Sequence, residues 1–134
     1  MTEYPSGGFA QSYRDLTVYR QAVEAAMAVF DLTTTFPAEE RYSMVDQVRR
    51  SSRSVCANLA EAWRKRRYRQ AFIAKLSDSE AEAAETQVWL ELAVRCGYLR
   101  PETAEALSTQ YEGILAQLVS MIAGADRWTV RPKT

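Results

Sequence analysis

Leu107, Tyr111, Ile114, Leu118, Met121 and Ala125 recur at alternating spacings of four and three. That interval fits an α-helix whose apolar seam faces other helices, and it does not fit a strand, where side chains alternate between faces. Pro101 stands where this helix opens, a position where its missing N–H costs nothing. Three earlier segments carry related patterns, and Pro and Gly, Gly113 excepted, fall at segment ends, where helices stop.

The first helix is expected after Asp15, which can cap it, with Tyr19, Val23, Ala26 and Phe30 on one face and an end at Thr33 to Pro37. The second begins between Pro37 and Ser43. Ala38, Glu39 and Glu40 suit its first turn, and Met44, Val48, Val55, Leu59 and Trp63 form its apolar stripe. Arg64, Lys65, Arg66 and Arg67 suit a helix C-terminus, and the pattern restarts near Tyr68, which predicts a tight corner. The third helix is expected from about Arg69 to Cys96, with Phe72, Leu76, Ala83, Leu90 and Ala93 on one stripe and Gly97 as its C-terminal cap.

Four helices with short connections fold most simply as an antiparallel up-down-up-down four-helix bundle. The predicted organisation is all-α: a flexible leader over 1–13, one bundle over 14–128 and a frayed tail over 129–134. The third helix carries a second apolar row, Ile73, Val88, Trp89 and Val94. That surplus predicts a subunit interface and hence a homo-oligomer.

The chain of 134 residues contains no histidine, which removes the commonest general base and metal ligand together. It has no Gly-rich phosphate loop or nucleophile–base pair, so neither an enzyme nor a cofactor is expected. Cys56 and Cys96 are far apart, in helical patterns, and read as buried free thiols. Glu61 with Glu80 or Glu85 is the one carboxylate set that could hold a hard cation, but solvated faces and salt bridges explain these residues more simply, and no metal site is assigned. No segment approaches the roughly 20 apolar residues of a membrane span, and the N-terminus lacks the basic start and apolar run of a signal peptide, so a cytoplasmic location without membrane contact is expected.

Charge is balanced at seventeen basic and seventeen acidic residues but is not evenly spread. Between positions 49 and 69 lie eight basic residues, Arg49, Arg50, Arg53, Arg64, Lys65, Arg66, Arg67 and Arg69, against the single acid Glu61, which leaves nine basic and sixteen acidic residues elsewhere. Guanidinium groups match phosphate, and Trp63 and Tyr68 flank the run, so these ten residues form a candidate surface for RNA or DNA, single strands included. The same cations could instead cap the second helix and pair with acids of the third, with Trp63 in the core. Both readings stand at this level, as does a protein-interaction scaffold that binds no nucleic acid. A further polar row, Gln47, Ser51, Ser54, Asn58 and Glu61, aligns on one face of the second helix and predicts close helix approach and a fixed register.

The segment FPAEERYSMVDQVRRSSRSVCANLAEAW from Phe36 to Trp63, with DLTVYRQA from Asp15 to Ala22 and ETQVWLELAVRCGYL from Glu85 to Leu99, resembles the family of the 23S ribosomal RNA intervening-sequence protein. The resemblance implies a four-helix bundle assembled into a homopentameric ring. It also implies relatives that serve diversity-generating retroelements by binding nucleic acid and a reverse transcriptase through a basic surface. Two features depart from the family pattern. Ala62 stands where a Gly usually follows the Asn-Ile-Ala-Glu motif, and KLSDSEAEAAETQ, from Lys75 to Gln87, makes the third helix more acidic than usual.

Overall fold

The structure is a computed structural model and describes residues 10–129. Those residues form five helices and no strand: α1 (Thr17–Thr33), α2 (Met44–Arg64), α3 (Arg69–Arg95), α4 (Pro101–Ala123) and the short α5 (Ala125–Trp128). Residues 1–9 of the expected leader and 130–134 of the expected tail lie outside the described residues.

Helix entry follows local chemistry. Ser12 and Asp15 form a capping box around the 3-10 turn Tyr13–Asp15 that precedes α1, so Asp15 serves that turn, and α1 itself opens at Leu16 without a side-chain cap. Thr33, Thr34 and Thr35 then end α1 by turning their hydroxyls onto the carbonyls of Val29 (2.8 Å), Asp31 (2.7 Å) and Leu32 (3.2 Å). Orphan carbonyls of the last turn are thereby satisfied before Pro37. At the end of α3, Gly97 has φ +79°, and the Tyr98 N–H reaches the Ala93 carbonyl at 2.9 Å. This left-handed cap turns the chain into α4 and favours Gly because it lacks a Cβ.

Each long helix packs against two others: α2 with α1 and α3, and α4 with α3 and α1. Among the described residues the backbones of the diagonal pairs, α1 with α3 and α2 with α4, do not approach closely, and only their side chains face one another across the core. The α2–α3 pair runs antiparallel, because Ser51 meets Thr86 while Glu61 meets Lys75. The core between the helices contains Leu59, Phe72, Leu76, Tyr111, Ile114 and Leu118, each at most 1% exposed. Full burial of a side chain of this size contributes roughly 1.5–3 kcal/mol.

Two expected patterns shift. The buried face of α1 is Val18, Ala22, Ala25, Val29 and Thr33, one position back from the row Tyr19, Val23, Ala26 and Phe30. Small Ala22 and Ala25 let neighbouring helices approach closely, and the bulkier residues flank the seam. Tyr19 packs edge-on to Tyr13, with ring centroids 4.8 Å apart, and Phe30 lies 4.4 Å beneath the Arg49 guanidinium. The second row of α3 is largely absorbed: Ile73, Trp89 and Val94 pack against the core, and only Val88 of that set is exposed. Helix α4 stops at Ala123, and Ala125 and Trp128 are buried from the separate α5.

Candidate nucleic-acid interface

The α2–α3 corner is built by hydrogen bonds that end one helix and start the next. The Lys65 N–H reaches the Glu61 and Ala62 carbonyls at 3.1 and 3.0 Å, closing α2. The Tyr68 N–H reaches the Lys65 carbonyl at 2.9 Å, and Tyr68, extended at φ −122°, leads into α3. Arg64, Lys65, Arg66 and Arg67 are thereby held on a tight turn at one end of the molecule.

The ten residues singled out in the sequence separate into distinct environments. Arg49 donates from Nε to the Thr33 hydroxyl at 2.8 Å and from Nη2 to the Phe30 carbonyl at 3.3 Å, so it fastens α2 to the end of α1. Arg50 bridges to α3, 2.6 Å from Glu85 and 3.3 Å from Glu82. The Trp89 indole N–H also donates to Glu85, at 3.0 Å. That bond, with Arg50 beside it, holds the Glu85 carboxyl below its ordinary range. Arg53 is exposed and makes no ion pair among the described residues. These three cations stand three to four turns of helix from the corner, roughly 16–23 Å at 1.5 Å per residue.

At the corner, Trp63 is core, only 6% exposed, with the Arg66 guanidinium 3.5 Å from its ring centroid. The indole is therefore closed to a stacking base, and Arg66 is anchored further through its Nε, 2.9 Å from the Trp63 carbonyl. Arg69 reaches Asp126 at 2.7 Å, an exposed pair that ties the start of α3 to α5 and is worth about 1 kcal/mol or less. Arg64, Lys65 and Arg67 are exposed and make no ion pair among the described residues, and Tyr68 beside them is 63% exposed. Exposed Arg127 of α5 lies at the same end, since α5 packs on α3 and Arg69 holds its neighbour Asp126. Arg127 was missed in the sequence because its segment reads as the fraying end of the fourth helix.

The polar row of α2 is divided as well. Ser51 is fully buried and shares a 2.8 Å hydrogen bond with Thr86 of α3. Ser54 and Asn58 are half-buried, whereas Gln47 and Glu61 are exposed. Glu61 pairs with Lys75 at 2.6 Å, and Glu85 is engaged by Arg50 and Trp89, so these carboxylates do not gather. Among the described residues no group of three or more His, Cys, Asp or Glu could hold a metal ion. Buried Ser52, Ser79 and Thr86 were missed in the sequence. The signal was present as gaps: Ser79 and Thr86 complete the four-three seam Phe72, Leu76, Ala83, Leu90 and Ala93.

Cys56 and Cys96 are both free, but Cys96 is exposed, contrary to expectation, because it caps α3 at the surface. Burial pushes the Cys56 thiol up to about 11. No helix among the described residues is long and apolar enough to cross a membrane.

Among curated proteins, none matches the chain. A crystal structure of a protein of unknown function from the S23 ribosomal protein family of Bacteroides thetaiotaomicron is similar, at 33% sequence identity and a TM-score of 0.72, covering 79% of this chain and 98% of that one. The profile of the 23S rRNA-intervening sequence proteins matches residues 14–120. With that match spanning α1 to nearly the end of α4, the chain belongs to the 23S rRNA-intervening sequence protein family.

Proposed function

We propose that this protein is a non-enzymatic antiparallel four-helix bundle that assembles into a homo-oligomer, a pentameric ring, and binds single-stranded RNA or DNA through the α2–α3 corner. The observation that carries the nucleic-acid reading is the sorting of the cations. Arg49 and Arg50 are engaged in tying helices together, while Arg64, Lys65 and Arg67 stand exposed within four consecutive positions and without ion pairs among the described residues. Exposed Tyr68 supplies an aromatic face beside them, on which an unpaired base can stack for roughly 1–3 kcal/mol. One such corner is a weak site. Several copies presented on one assembly make a multivalent surface, with avidity far above that of each corner.

Binding is expected to weaken steeply with salt, as release of counterions from phosphate requires. The test is retention of single-stranded oligonucleotides by the purified protein, wild type against a triple Arg64→Glu, Lys65→Glu, Arg67→Glu variant. Loss of retention with an unchanged assembly mass supports the reading, and equal retention by both proteins refutes it. A protein-interaction scaffold is the second reading. It is favoured by exposed Val88 and Leu92 beside a groove rich in carboxylates between α3 and α4.

A further inference from the structure

Two surfaces of opposite charge, a groove between two helices and the outer face of a third, lie on different helices of the molecule. The first, about 540 Å³, runs between α3 and α4 and carries the carboxylates of Glu91, Glu105 and Glu112 along an apolar floor that includes Leu90 and Ala104. The second is the outer face of α2, which carries Arg49, Arg50 and Arg53 against the single carboxylate of Asp46. The backbones of α2 and α4 do not approach closely among the described residues, and no ion pair joins the two surfaces within one molecule.

From this arrangement we infer that the outer face of α2 in one copy docks into the α3–α4 groove of the next, a head-to-tail contact between copies of this chain. Charge complementarity identifies the occupant. Arg53 and Glu105 are exposed and make no ion pair among the described residues, so each surface keeps an uncompensated charge for the other. Glu112 holds only the Gln87 amide, at 2.8 Å, and Glu91 only a long 3.7 Å contact to Arg95. The shapes also correspond. On α2 the residues Asp46, Arg50, Arg53 and Ala57 form a ridge at spacings of four, three and four, which suits a trough between two helices. Apolar surface accompanies the charge on both sides: Val88 is 53% and Leu92 39% exposed beside the acidic groove, and Phe30, 37% exposed, lies under Arg49 beside the basic face.

A contact between two different surfaces is heterologous, and repetition of it gives a closed ring when the rotation closes. The inference rests on the self-association in the proposed function and specifies its faces. It also separates the exposed cations that make no ion pair among the described residues by role, Arg53 serving assembly and Arg64, Lys65 and Arg67 remaining for phosphate.

The test uses two charge reversals, Arg53→Glu on one face and the pair Glu105→Arg, Glu112→Arg on the other, with the mass of each protein measured by light scattering at matched concentrations and low salt. Circular dichroism first establishes that each variant is helical and folded. Each variant alone is expected to assemble at least about tenfold more weakly than wild type, because every contact then sets like charges together. Mixed in equal amounts they are expected to regain assembly, since the intact groove of one meets the intact α2 face of the other and the two reversed surfaces again carry opposite charges. A monomeric wild type overturns both the assembly and this contact. An oligomeric wild type whose variants assemble undiminished, or whose mixture assembles no better than either variant alone, overturns the contact alone.

Discussion

The buried hydroxyl pair Ser51–Thr86 allows a quantitative test of how α2 and α3 are held in register. Both residues are 0% exposed, their hydroxyl oxygens are 2.8 Å apart, and each has a carbonyl of its own helix in reach, Val48 at 3.2 Å from Ser51 and Glu82 at 2.9 Å from Thr86. Two hydroxyl protons thus serve three contacts: one crosses between the helices and the other turns back on its own helix. Thr86→Val removes the crossing bond, yet Ser51 can still donate to Val48, so no donor is orphaned. The cost is that of one net hydrogen bond, about 1 kcal/mol, without the further 1–3 kcal/mol of a stranded buried group. Ser51→Ala behaves likewise. The double variant loses the same single bond, so it should cost about 1 kcal/mol as well, with a coupling energy near 1 kcal/mol where independent sites would add to about 2. Urea denaturation at one fixed protein concentration measures this, since association shifts apparent stability. Additive single effects, or a loss above about 3 kcal/mol in either single variant, would refute the shared-proton account.

Other expectations follow from single groups. The Tyr111 hydroxyl is buried beside Thr86 but closes no hydrogen bond of good geometry among the described residues, so Tyr111→Phe should leave stability unchanged or raise it by about 1 kcal/mol, and a clear fall in the urea midpoint would contradict this. Because Glu85 is depressed in the fold, its contribution is present above its unfolded value near 4.5 and is lost as pH falls through the lower folded value; Glu85→Gln should therefore flatten the fall of the urea midpoint between pH 5 and pH 3. Exposed Cys96 should react with iodoacetamide first at pH 8, while Cys56, held up to about 11, reacts slowly; labelling read by mass spectrometry should lose its fast phase in Cys96→Ser.

Helix identity was legible because the four-three apolar pattern depends on geometry that each segment carries within itself. The seam of α4 through Met121 and the stripe of α2 are buried as expected, and Gly97 ends α3. What the sequence obscured was orientation decided by neighbours. In α1, hydrophobic bulk pointed to Tyr19 and Phe30, whereas close packing selected Ala22 and Ala25. In α3, Ser79 and Thr86 looked polar until partners, the Val55 carbonyl and Ser51, supplied their hydrogen bonds. The basic run was visible as composition, but pairing divides it. Whether an arginine faces a carboxylate thirty residues away, as Arg50 does, is fixed by helix register and is absent from local pattern.

The uneven closure of the helices has a kinetic consequence. Pairing is most extensive between α2 and α3, which are joined by a short corner, and least between α1 and α4 at the two ends of the described chain. Closing a short loop costs less entropy than joining distant segments, so the α2–α3 hairpin should organise the folding transition state and the α1–α4 seam should zip last. Truncation of Val55 or Leu76 to Ala should then slow refolding, whereas truncation of Val18 should chiefly hasten unfolding. The seam between first and last helices is the place where this molecule opens soonest.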